Sequence, residues 1–217
     1  MKNKLHGHHT GGLKADQVRR LTNLYRRRIS PQFIVTPEVV RELVDLTETI
    51  RRQIGLLINR QGKVVNVIVG DDKKIEIPVL TQYRTAADRL RGLKCVHTHL
   101  DNAPLTRDDL TDLALLQLDF MAAVVNTGGG DKYQIYAAHI MPGNIDDTPY
   151  NLLDPLPPHA LDIGCSDLIT AIEEELGQTR RLRDTGADKE RAILVSVTSR
   201  GKAQARESLK ELAALAA

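Results

Sequence analysis

Residues 94–116 read KCVHTHLDNAPLTRDDLTDLALL, and the periodicity changes partway along. With Leu93 before it, LKCVHTH is a short strand. After a turn containing Asn102 and Pro104, the residues from Asp109 to Leu118 read as a helix. A strand that leads through a tight turn into a helix is the repeating unit of an α/β layer, so this stretch sets the fold class.

The flanking sequence agrees. Residues 15–28, ADQVRRLTNLYRRR, place Val18, Leu21, Leu24 and Tyr25 at helical spacing. TPEVVRELVDLTETI offers Thr36 as N-cap with Pro37 at the first helical position. IGLLINR and KVVNVIVG are β-branched runs parted by Gln61-Gly62, the signature of a hairpin, and KKIEIP alternates as a third strand. FMAAVVN and YQIYAAHIM are two further strands, with a turn at Gly128–Gly130. The expectation is an α/β domain over residues 13–160, a mixed sheet with flanking helices, preceded by a flexible terminus at 1–12.

Pro142 to Pro158 is rich in Pro, Asn and Asp and reads as a surface connection. Ser166 can cap the helix SDLITAIEEELGQTRRLR, acidic at its start and basic at its end as the helix dipole favours, so 161–186 reads as a connecting helix. ERAILVSV and ARESLKELAALAA make one strand and one amphipathic helix over 187–217. A single strand and helix cannot bury a core alone, so they read as the start of a second domain cut short.

Composition narrows the function. Thirty basic residues face 28 acidic ones, a net charge of +2, which gives no global electrostatic case for nucleic acid. With no Trp, five Tyr and two Phe, a surface that stacks several bases is hard to build. Arg19, Arg20, Arg26, Arg27 and Arg28 form a local basic cluster that could meet RNA phosphates, or simply be a solvated helix face. Cys95 and Cys165 make no disulfide framework, MKNKLHGHH has no apolar signal core, and no apolar run spans a membrane. A reducing cytoplasm is the expected compartment.

On a strand, residues two apart share a face, so Cys95, His97 and His99 project together. Thr106 as N-cap puts Asp109 at the third helical position, within reach of the strand end if the connection is tight. Two imidazoles and a carboxylate leave a fourth zinc position open, the arrangement of catalytic sites. The same Thr-x-x-Asp is also a capping box, which explains both residues without a metal.

The order His-x-His, short loop, Thr-x-x-Asp resembles the signature of the JAB/MPN metalloprotease superfamily and its RadC-type relatives, over roughly Leu43 to Asp119. The resemblance implies zinc on His97, His99 and Asp109. The chain departs from that pattern in the loop, which is one residue short and has Leu100 where Pro is usual. It also departs at the base: the family places a Glu before the first long strand, where RRQIGLL has Arg52 and Gln53. A guanidinium accepts no proton, and the nearest upstream carboxylate is Glu48, which could serve only if the helix end were unwound.

A second resemblance runs nearly end to end. GLKADQVRRLTNLYRRR, VTPE, RRQIGLLINRQGKV, VIVGD, RLRGLKCVHTHL, LTRDDLTDLALLQLD, AAHIMPGN and ERAILVSV with ESLKELAALA resemble the amino-terminal portion of HflX-type ribosome-associated GTPases, in the subgroup with a long extension. Such proteins bind GTP with magnesium through a P-loop and associate with the large ribosomal subunit. This chain has no G-x-x-x-x-G-K-[ST]; its closest string, NTGGGDKY at Asn126–Tyr133, lacks the Ser or Thr. GADKE near Asp188 lacks the Asn of a guanine-reading motif. The resemblance therefore implies a non-catalytic accessory region whose partners are the large subunit and its own GTPase domain. The alternatives are a zinc-dependent JAB/MPN-type hydrolase or its inactive descendant, and an oligomerisation module.

Overall fold

The computed structural model describes residues 4–83, 86, 89–128, 133–141, 148–184 and 202–215. The chain divides into two units, Met1–Arg181 and Leu182–Ala217. The first unit is α/β. Its strands are β1 (Leu5–His6), β2 (Ile54–Asn59), β3 (Val64–Val69), β4 (Leu93–Thr98), β5 (Phe120–Asn126), β6 (Tyr133–Ile140) and β7 (Tyr150–Leu152). They form one mixed sheet in the order β1-β3-β2-β4-β5-β6-β7. Helices α1 (Ala15–Asn23), α2 (Pro37–Ile50) and α3 (Arg107–Leu115) belong to this unit, and α4 (Cys165–Asp184) begins in it. The second unit carries α5 (Lys202–Leu215); the strand expected at ERAILVSV lies outside the described residues.

The pairing follows from the connections. β2 and β3 are joined by a tight hairpin and run antiparallel, whereas β4 and β5 are joined through α3 and run parallel, as a strand-helix-strand crossover requires. The Thr98 hydroxyl meets Thr47 of α2 at 2.7 Å, while His97, next to Thr98 and so on the other face, meets Asp109 of α3. The two helices therefore cover opposite faces of the sheet. On α2, Val39, Val40, Leu43 and Leu46 are buried, each worth about 2 kcal/mol by transfer from water.

The hairpin turn is held from inside. The Asn59 Oδ1 accepts from Gln61 N at 3.1 Å and Lys63 N at 2.9 Å, and Gly62 sits at φ 75°. A Cβ on Gly62 would stand 1.7 Å from the Ile29 carbonyl oxygen, whose own amide donates to the Gly62 carbonyl. Gly62→Ala combines a left-handed backbone with a clash against main chain. We expect it to destabilise the fold by about 2 kcal/mol, read as a lower urea midpoint at unchanged slope; an unchanged midpoint would remove this account of the turn.

Several expectations need correction. The terminus at 1–12 is not wholly free: Leu5 and His6 pair in parallel with Val67 and Ile68. Tyr25 fixes that strand, its hydroxyl donating to the Lys4 carbonyl at 2.6 Å and accepting from Val67 N at 3.0 Å. With β1 on that edge, KKIEIP forms no strand, because the Asp71 carboxylate accepts from the amides of Lys73 and Lys74 and turns the chain away. The helix expected over 15–28 ends at Asn23 and tightens into a 3-10 turn at Leu24–Arg26; Val18 faces outward. Part of the 142–158 connection is the short strand β7 on β6. Residues 142–147 lie outside the described residues. Ser166 lies inside the first turn of α4, and the Gly164 carbonyl before it receives the amides of Asp167 and Leu168.

An ionic clamp closes the far end of the sheet. Arg60, after β2, grips the fully buried Asp119 through two bonds of 2.8 and 3.1 Å. The same guanidinium holds Glu173 of α4 at 2.7 and 3.2 Å. Gly92 N donates to Asp119 and Leu90 N to Glu173, so one cation ties β2, β5, α4 and the lead into β4.

Candidate metal centre

β4 delivers His97 and His99 to the same face, and the first turn of α3 brings Asp109 against them. The Nε2 atoms of the two imidazoles lie 2.8 Å apart. Asp109 Oδ1 is 3.2 Å from His97 Nε2, and Oδ2 is 3.5 Å from His99 Nε2. A tetrahedral ion with bonds of about 2.0–2.1 Å separates its ligand atoms by roughly 3.3 Å. The three side chains thus supply three corners of such a site. Among the described residues they are the group with the geometry to hold a metal ion.

The local chemistry prepares the ligands. His99 Nδ1 lies 2.9 Å from the Ala103 carbonyl oxygen. A carbonyl only accepts, so Nδ1 carries the proton and Nε2 presents its lone pair, as the outer partner of a metal-binding His does. Two Nε2 atoms at this distance need a proton or a cation between them. Burial, with the neighbouring His97 next in weight, holds His99 below its ordinary value. For Asp109 burial pushes upward, but hydrogen bonds from His97 and Thr106 outweigh it and hold the carboxyl well below the usual range. Both ligands are therefore in their metal-binding forms at neutral pH. His97 Nδ1 is buried without a hydrogen-bond partner among the described residues.

The capping box is real and does not compete. Thr106 Oγ1 accepts from Asp109 N at 3.2 Å, while Asp109 Oδ2 accepts from the Thr106 amide and hydroxyl, each at 2.7 Å. Oδ1 remains for His97. The cap aims the carboxylate. The two readings of Thr106-x-x-Asp109 are one arrangement.

No protein-family model, curated protein or solved structure matches this chain. Arg52 donates to the carbonyls of His9 and Gly11, which ties it to the N-terminal segment, and Gln53 is buried at the start of β2. Glu48 lies within the intact helix α2 and accepts from the Asn126 amide, so no unwinding delivers it as a base. Cys95 is outside the ligand group; burial and the charges of Asp109 and Asp112 push its thiol up, far from reactivity. Of the basic cluster, Arg20 pairs with Asp45, Arg27 pairs with Glu42 at 2.6 Å, and Arg28 donates to main-chain carbonyls. Arg19 and Arg26 are exposed. His139 is held by Ile140 O and Asn151, and His159 is an exposed loop residue. His8 and His9 lie near Glu76 and Asp71. No described helix is long and apolar enough to cross a membrane.

The sequence reading missed the Ala103 carbonyl. Main-chain acceptors leave no residue-type signal, although Pro104 after Ala103 biases the preceding residue towards the extended backbone that such a turn uses.

Proposed function

We propose that this chain is the non-hydrolytic, zinc-binding accessory region of an HflX-type GTP-binding protein that associates with the large ribosomal subunit. One observation carries the non-hydrolytic part: the His97, His99 and Asp109 set is complete, while the segment before β2, where the metalloprotease pattern has its Glu, holds a buried Gln53 and an Arg52 tied to the His9 and Gly11 carbonyls. Zinc suits two imidazoles and one carboxylate, and when bound it supplies a Lewis acid. An amide cannot take up the proton that such chemistry releases. With an ion bound, the three ligands would join β4 to α3, which is structural work.

The ribosomal part rests on the end-to-end sequence resemblance and on the absence of a P-loop in the chain. Arg19 and Arg26 are the residues of the basic cluster best placed for phosphate, since Arg20 and Arg27 already have acidic partners on α2. The test is co-sedimentation of the chain with purified large subunits at low and raised salt. Salt-sensitive pelleting is the expected outcome, weakened by Arg19→Glu with Arg26→Glu. Absence of pelleting at low salt would defeat the ribosomal reading and leave the metal reading standing.

A further inference from the structure

The carboxyl ends of β4 and β5, the parallel neighbours in mid-sheet, open onto a cavity of about 170 Å³. Ligands in open α/β sheets bind at such ends. Two opposite charges line this cavity. Glu48 comes from the last turn of α2, and Arg51 is the cap of the same helix, in the left-handed conformation at φ 58°. No ion pair joins them among the described residues. Glu48 instead accepts from the Asn126 side-chain amide, whose oxygen takes the Gly128 amide at 3.1 Å. That chain of bonds fixes the carboxylate on the wall. Below it the hydroxyls of Thr47 and Thr98 satisfy each other at 2.7 Å, so the floor asks for no partner.

We propose that this cavity binds a free, small α-amino acid, with the carboxylate on Arg51 and the ammonium on Glu48. A simple anion would meet the Glu48 charge, and a simple cation would meet the guanidinium. A zwitterion satisfies both. The volume equals that of about six waters, which suits glycine, alanine or serine. This inference goes beyond the metal reading and does not rest on it, although His99 also borders the cavity.

The test is isothermal titration of the full chain with glycine, alanine and serine, and with acetate and methylammonium as half-ligands. The expected result is millimolar or tighter binding of at least one amino acid. Each half-ligand should bind at least about tenfold more weakly, and Arg51→Gln and Glu48→Gln should each weaken binding by about tenfold or more. Both positions are exposed, and unchanged thermal melting of the variants serves as the folding control. No binding by any of the three, affinity untouched by both substitutions, or acetate binding as well as the amino acids would each overturn the proposal. Repeating the titration after chelation keeps the outcomes separate: binding that survives without metal stands whatever the fate of the zinc site.

Discussion

Protein purified without added metal and without a histidine tag is expected to carry about one zinc per chain, and His97→Ala/His99→Ala is expected to carry none. The two Nε2 atoms at 2.8 Å, with His99 oriented by the Ala103 carbonyl, are the reason for the size of the effect. Removing both imidazoles leaves one carboxylate, and one ligand does not retain a dication against a chelator. Asp109→Ala should lose both metal and helix stability, since the same carboxylate caps α3. Asp109→Asn separates the two, keeping a hydrogen-bonding cap while losing the anionic ligand. Acidification should also release the metal, because an imidazole must shed its proton to bind. Metal analysis by plasma emission, with circular dichroism as the folding control, reads all of this. Metal-free wild-type protein, with variants that fold normally, would leave a capped helix beside a strand and end the zinc reading.

Arg60→Ala is expected to cost about 3 kcal/mol, the low end for removing one member of a buried ion pair, because the guanidinium is itself 39% exposed and solvent screens it. The loss leaves Asp119 without its two-bond partner and Glu173 without its cation. The pH dependence has a defined sign. Burial pushes the Glu173 carboxyl up, but the Arg60 hydrogen bond and charge outweigh it, so the net shift is downward. A carboxyl lowered by folding contributes stability above its unfolded value, and that contribution disappears as pH falls through the folded value. The gap between wild type and variant should therefore be widest near neutrality and shrink in acid. Urea titrations across pH read it; a gap that is pH-independent would show that Arg60 acts through packing alone.

Much of this was legible in the sequence, and the failures have local causes. The α/β class, the hairpin at Gln61-Gly62 and the strand-turn-helix from Lys94 to Leu116 follow from changes of period, because burial on one face enforces it. His97, His99 and Asp109 were legible because strand alternation and a capping box are both short-range rules. β1 was missed since two residues cannot display a period, and what recruits them is the distant Tyr25 hydroxyl. KKIEIP failed for the converse reason: its alternation suits a strand, but the neighbouring edge is taken and Asp71 turns the chain. The Arg60 clamp joins residues 59 and 113 apart in sequence, a separation no local pattern encodes.

The short strand β1 also has a practical meaning for anyone handling this protein. It covers the outer edge of β3, a six-residue run of which five are Val or Ile. Trimming the first dozen residues as a supposed tail would bare a row of unpaired amides and carbonyls on an apolar strand, a template for pairing with another molecule. Gly7 marks how close that cover lies, since a Cβ there would sit 2.2 Å from the Val69 carbonyl oxygen. An affinity handle belongs at the other end of the chain, and a shortened form that precipitates on storage would reflect an uncovered edge rather than a failed core.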